Sequence, residues 1–239
     1  MNRGILVQVI AAIVVTVFAA GIWFTGGTLD LQWLRFFSAA VFVSVTALTI
    51  WDHWAWHLPF VQKLPKVPRD LRGTWKGTLE SFWIDPTTGS SPSVKVAYLV
   101  IRQSATTVSV VMLTNESRSK SSLAVISDDG VSGSLDYMYL NRPDSRFENH
   151  SRMHHGSTSL DITGKPTVRL QGRYWTNRDS KGELDFTQRV MQFADDFLQA
   201  ETLFNSRQSN QPVLKPASAS IVPQEKPQLE NPKAPTPPH

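Results

Sequence analysis

The stretch Ile5–Phe24 carries no charge, and 17 of its 20 residues are apolar. At about 1.5 Å per residue, a helix of that length spans roughly 30 Å, the hydrocarbon thickness of a bilayer. A second run, Trp33–Trp51, is apolar at 14 of 19 positions. Its one charge, Arg35, lies near its start, where a long side chain snorkels to the interface. Runs apolar on every side do not suit a soluble helical pair. The short, turn-prone segment 25–32 joins them, so residues 1–60 are expected to form an antiparallel two-helix transmembrane hairpin. Trp23, Trp33, Trp51, Trp54 and Trp56 fall at the expected water boundaries, five of the eight tryptophans in the chain; this is the placement of an interfacial belt. Arg3 precedes the first run and Lys63, Lys66, Arg69 and Arg72 follow the second, whereas the connecting loop holds only Asp30. The positive-inside rule then puts both termini in the cytoplasm. A cleaved signal peptide fits less well, because the run is long and a second span follows at once.

The pattern changes after a linker at 61–70. From Leu71 to Val190, short alternating runs are separated by turn residues. Eight strands are expected near 72–84, 93–103, 106–115, 119–127, 131–141, 154–163, 167–178 and 182–190. Most spacings suit hairpins, so the sheet should be antiparallel and meandering. Closure removes exposed edges, and eight strands in such a length favour a small up-and-down barrel of lipocalin-like size. Alternation puts Leu135, Tyr137, Tyr139 and Asn141 on one face, and Leu170, Gly172, Tyr174, Thr176 and Arg178 on another. Each set turns polar toward one end. A barrel filled at depth with a polar ligand cup at its mouth fits this pattern; a barrel whose tyrosines merely pack fits it too.

Two pieces follow the barrel. Apolar residues from Val190 to Phe204 recur at helical spacing and predict a short amphipathic helix over 191–208. The segment 209–239 holds eight of the fifteen prolines from Gln211 onward, and is expected to be a disordered tail.

The absence of cysteine excludes thiolate metal sites and cysteine catalysis. Net charge is +2 over residues 1–68, +3 over 69–190 and −1 over 191–239. No region is basic enough for a duplex-DNA binder, and no DNA or RNA polymer is expected as a partner. No phosphate-binding glycine loop, nucleophile elbow or HExxH pattern is present. His150, His154 and His155 cluster in sequence, but no carboxylate or thiolate completes a metal motif. No catalytic residue, metal or cofactor is therefore assigned, and an enzyme is not expected. The informative set is Tyr137, Tyr139, Asn141, Arg142, Tyr174, Thr176 and Arg178. Tyrosine faces stack bases and arginine forks pair phosphates. Such a mixture suits a small nucleotide better than a fatty acid.

An ordered series of motifs carries a resemblance. It runs through Leu71-Arg72-Gly73-Thr74-Trp75-Lys76-Gly77, Ile101-Arg102-Gln103-Ser104, the spaced Ser117, Ser119 and Ser121, and Leu135-Asp136-Tyr137-Met138-Tyr139-Leu140-Asn141-Arg142-Pro143. His155-Gly156, Gly172-Arg173-Tyr174-Trp175-Thr176-Asn177-Arg178 and Gly182 complete it. With the preceding hairpin, the chain resembles the two-transmembrane, β-barrel effectors of bacterial CBASS anti-phage systems, the CD-NTase-associated protein 15-like family. The resemblance covers roughly residues 1–190. It implies a receptor for a cyclic dinucleotide made by a CD-NTase. It also implies that the effector sits in the inner membrane, becomes a homo-oligomer on activation and breaches the lipid bilayer. Tyr137, Tyr139, Asn141, His155, Tyr174, Thr176 and Arg178 carry over as ligand-binding positions. The alternative is a membrane-tethered barrel that binds a lipid or a protein partner without disrupting the membrane.

Overall fold

A computed structural model describes residues 3–26, 32–64, 67–86, 89–128, 132–148 and 152–209. Eight strands form one closed barrel: β1 (Gly73–Ser81), β2 (Lys95–Gln103), β3 (Val108–Leu113), β4 (Ser117–Asp128), β5 (Gly133–Pro143), β6 (His154–Thr163), β7 (Arg169–Thr176) and β8 (Lys181–Val190). Every strand pairs antiparallel with its sequence neighbours, and β8 closes on β1. The expected meander is therefore the observed one. Its interior is filled by Trp75, Leu99, Ile101, Val110, Leu135, Leu160, Leu170, Leu184 and Phe186, all fully buried. Trp75 satisfies its indole N–H on the Leu71 carbonyl at 2.9 Å, which removes the main penalty of burying that ring.

Two helices precede the barrel, α1 (Arg3–Thr25) and α2 (Gln32–His53), and they pack on each other. The side chains described lie within 10–24 and 38–53. Gly21, Ala40 and Ser44 are buried there, small residues that let two helices approach closely. Large apolar side chains such as Val15, Phe42 and Val45 face outward. Among the described residues no helix is long and apolar enough to cross a membrane. Residues 27–31 of the connecting loop lie outside the described residues, as do Lys66, His150 and the tail from 210.

The end of α2 is tied to the barrel through Asp52. Its carboxylate accepts from the Ser104 and Thr106 hydroxyls and the Thr106 N–H, at 2.8–3.0 Å, and its carbonyl accepts from the Ala105 N–H at 3.1 Å. One side chain thereby organises the β2–β3 turn against the helix. Two short 3-10 turns, Ala55–His57 and Val61–Lys63, then lead into the linker. Arg69, buried beneath the same end, donates to Asp128 at 2.8 Å and to the Ile162 carbonyl at 2.9 Å. Asp128 thus anchors this end of the barrel as well as ending β4.

The helix expected over 191–208 begins later, as α3 (Phe197–Ser209). Residues 191–196 instead close the barrel wall: the Thr74 hydroxyl donates to the Gln192 carbonyl and accepts from the Ala194 N–H. Asp196 caps α3 by accepting the Gln199 N–H at 2.7 Å, while the Gln199 side chain reaches back to the Asp195 N–H. An Asp followed three residues later by Gln is a helix-start signal. Ala200 and Phe204 bury against Tyr98, Val100, Leu113 and Val190 on the outside of the barrel. Tyr98 stacks on Phe204 with ring centres 5.6 Å apart and meets Phe197 edge-on. β2 is consequently buried on both faces from Ala97 to Ile101, which accounts for the unbroken apolar run there.

Candidate ligand-binding cup

The strand ends divide the barrel into two mouths. One mouth, at the strand ends Gln103, Asp128 and Thr163, faces α2 and the linker. The other gathers Ser81, Lys95, Ser117, Asn141, His154 and Thr176, and there a cavity of about 170 Å³ opens. Leu79, Met112, Tyr139 and Tyr174 form its floor, above the filled core.

The two floor tyrosines are seated by glycines. Tyr139 lies opposite Gly156 in the β5–β6 register, and Tyr174 lies opposite Gly182 in the β7–β8 register. A Cβ on Gly156 would collide with the Tyr139 ring, and one on Gly182 would lie 2.7 Å from the Tyr174 ring. Each ring covers the bare backbone of its neighbouring strand, an arrangement that fixes register and ring position together. Both phenols are held protonated. Burial raises the pKa of Tyr139, the neighbouring Tyr137 and Tyr174 add to this, and Arg178 opposes it. Burial also raises that of Tyr174, against a hydrogen bond with Ser81.

The wall is polar and partly prearranged. Ser119 donates to the Asn141 side-chain carbonyl at 2.7 Å, which orients the amide and leaves its NH2 for another acceptor. The Thr176 and Ser180 hydroxyls are 2.7 Å apart, while the Thr176 N–H donates to the Ser180 carbonyl; both contacts belong to the β7–β8 turn. Arg178, exposed on that turn, donates to the Arg152 carbonyl at 3.3 Å. At the neighbouring ends of β2 and β3, Lys95 pairs with Glu116 at 2.6 Å. His154 is buried with Nδ1 3.0 Å from the Arg152 carbonyl. Burial lowers its pKa most; the Arg152 bond opposes that, and the charges of Arg178 and His155 lower it further. The imidazole is therefore neutral at pH 7 and carries one donor and one acceptor.

Five of the seven positions expected from sequence come together here: Tyr139, Asn141, Tyr174, Thr176 and Arg178. Tyr137 lies one layer deeper, its phenol raised by burial to about 12. Its hydroxyl and that of Thr158, its partner across β5–β6, have no well-aligned hydrogen-bond partner. Tyr137 belongs to the core rather than the cup wall. His155 stands on the outer face of β6 and does not reach the cup, and Arg142 likewise faces outward from β5. His154 occupies the inward position that His155 was expected to hold. The alternation Thr158, Leu160, Ile162 already carried this information, because inward residues of β6 are even-numbered. His154 and His155 point to opposite faces, so the sequence cluster of histidines does not converge. Lys95, Glu116 and Met112 were not anticipated; Lys95 and Met112 enter the cup from β2 and β3, and Glu116 from the β3–β4 turn.

The cup offers aromatic surface at its floor, an oriented amide and hydroxyls on its wall, and cationic side chains at its rim. That set can stack a planar ring, read its edge and meet an anionic group. Residues 65–188 match a family model described as Cap15, cyclic dinucleotide receptor domain. The chain is also similar to CD-NTase-associated protein 15 of Staphylococcus schleiferi, 27% identical over 155 residues, which cover 65% of this chain and 80% of that protein. The matched segment contains all but the last residues of the barrel and every side chain that lines the cup. The chain thus belongs to the Cap15 family, with its eight-stranded barrel as the cyclic dinucleotide receptor domain.

Proposed function

We propose that this protein is a membrane-anchored CBASS effector that binds a cyclic dinucleotide in the barrel cup, oligomerises and disrupts the inner membrane. The cup at the open mouth, within the matched receptor domain, carries the reading. Its chemistry is that of a receptor: stacking rings, an amide and a guanidinium, with the two histidines of β6 divided between faces. The interior beneath the cup is filled by side chains, which disfavours a lipid-carrying barrel.

The cup is smaller than the roughly 300–1,000 Å³ of sites that bury a whole drug-sized ligand. Only part of a cyclic dinucleotide enters, with one base on Tyr139 or Tyr174 and the adjoining phosphate at Arg178. The other half remains at the mouth, open to contacts from a second copy. That geometry favours a ligand that promotes assembly. The apolar runs 5–24 and 33–51 and the cations that flank them support a two-helix anchor with both termini in the cytoplasm. The test is calorimetric titration of the full chain in detergent with a panel of cyclic dinucleotides, with substrate integrity checked afterwards. Saturable binding without turnover is expected; turnover or no binding to any member would overturn the reading.

A further inference from the structure

A second cavity, of about 360 Å³, lies at the opposite mouth, between the 3-10 turns after α2 and the β6–β7 loop. Lys63 and Lys165 stand exposed at its edge. Its one carboxylate, Asp70, is already bound by Arg72 at 2.9 Å and Arg189 at 3.2 Å. Positive charge is therefore in excess, and the acid has no remaining role toward a cation. Two lining residues, His57 and Thr167, each carry a buried polar atom, Nδ1 and Oγ1, that makes no hydrogen bond. Thr167 is 9% exposed. Buried polar atoms are rarely left unpaired, and such orphans mark a missing ligand or water.

The surroundings narrow the choice of ligand. Trp54, Phe60 and Leu64 project from the same turns and are 68%, 67% and 51% exposed. A cation-rimmed polar cavity beside an apolar rim matches an amphiphile with an anionic head. The geometry points to a binding site for the phosphate of an anionic membrane phospholipid, with Lys63 and Lys165 meeting its charge, Thr167 and His57 its oxygens, and the apolar rim its chains. The phosphate chemistry stands on the cavity alone; assignment to a lipid rests on the membrane-hairpin reading, in which this mouth faces the cytoplasmic leaflet. A headgroup here would fix the tilt of the barrel on the membrane.

The full chain in nonionic detergent is titrated with short-chain phosphatidylglycerol, short-chain phosphatidylcholine and inorganic phosphate. Phosphatidylglycerol is expected to bind most tightly. The double variant Lys63→Gln, Lys165→Gln should lose roughly fivefold in affinity per lysine. Thr167→Val removes only the orphan hydroxyl, so it should weaken lipid binding while leaving the melting temperature unchanged or higher. Equal binding of the two lipids, or wild-type affinity in both variants, would overturn the site. Inorganic phosphate bound as tightly as phosphatidylglycerol would overturn the lipid assignment. The same samples titrated with cyclic dinucleotide should match the wild type, since the cup is at the other mouth. Failure of that titration in the wild type would count against the proposed receptor function and leave the lipid measurement intact.

Discussion

At the residue scale, β6 offers the sharpest discrimination. His154 lines the cup and His155 faces outward, one residue apart on the same strand. His154→Ala should weaken cyclic dinucleotide binding about tenfold, the loss of roughly one hydrogen bond to a charged group. His155→Ala should leave affinity unchanged. The reverse result in calorimetry would mean that β6 is shifted by one residue in the liganded protein. His154 also sets a pH dependence. Its pKa lies below the ordinary imidazole value in the empty cup, chiefly through burial. An incoming phosphate favours the imidazolium and raises that pKa. Binding then takes up a proton, so affinity should increase as pH falls from neutrality toward the pKa of the empty protein, and level off below it. Calorimetry in buffers of different ionisation enthalpy reads the uptake directly; it should vanish in His154→Gln. Gly156→Ala tests the floor, because its Cβ would occupy the space of the Tyr139 ring. That variant should lose ligand affinity and stability together, whereas Ser157→Ala beside it, on the outer face, should lose neither.

At the element scale, the position of α3 changes what counts as the folded unit. Ala200 and Phe204 cover Tyr98, Val100 and Leu113 on the outer wall. A chain ending at 190 would leave those residues in water, and its solubility should suffer accordingly. Fragment 67–209 should fold cooperatively, while fragment 67–190 should show a lower urea midpoint and a tendency to aggregate. Phe204→Ala in the longer fragment should cost about 3 kcal/mol, the low end for a buried aromatic truncation. An unchanged midpoint would show that α3 does not contribute to barrel stability. The strands were legible because turn residues and period-two alternation punctuate 71–190 so regularly. The start of α3 was missed because apolar spacing from Val190 onward looks helical. That spacing cannot reveal that Thr74, more than a hundred residues away, takes the backbone of Gln192 and Ala194 for the barrel wall. The local signal at Asp196 and Gln199 was present and marks the true boundary. In the cup, alternation found Tyr139, Asn141 and Tyr174 because their strands turn from apolar to polar along one face. It could not distinguish depth, so Tyr137 was grouped with residues a layer above it. Lys95 and Glu116 were invisible because Asn115-Glu116-Ser117 reads as a turn, and only the β2–β3 register, which pairs Tyr98 with Leu113, brings Glu116 opposite Lys95.

At the scale of the whole molecule, the two mouths of the barrel differ in what they adjoin. One mouth is joined to α2 through Asp52 and the β2–β3 turn, and the other holds the cup. Under the proposed function, a signal received at the cup must act through the barrel as a body or through contacts between barrels, since the core is filled by side chains. Moving an assembly equilibrium from 1:99 to 99:1 requires about 5.5 kcal/mol of differential binding. A ligand half-buried in one cup and shared with a second copy can supply this, because its outer half gains contacts only in the assembled state. The proposed function then requires hairpin and ligand together. The full chain without ligand should be tolerated by cells at modest expression. Co-expression with the nucleotidyltransferase that makes the ligand should depolarise the inner membrane, read with a potential-sensitive dye. Fragment 67–209 should bind the ligand and leave the membrane polarised, because it lacks both apolar runs. His154→Ala in the full chain should need more ligand for the same depolarisation, and His155→Ala should behave as the wild type. Depolarisation by the fragment alone would place the damage in the barrel and remove the hairpin from the mechanism. Depolarisation by the full chain without any cyclic dinucleotide would show that the cup does not control assembly.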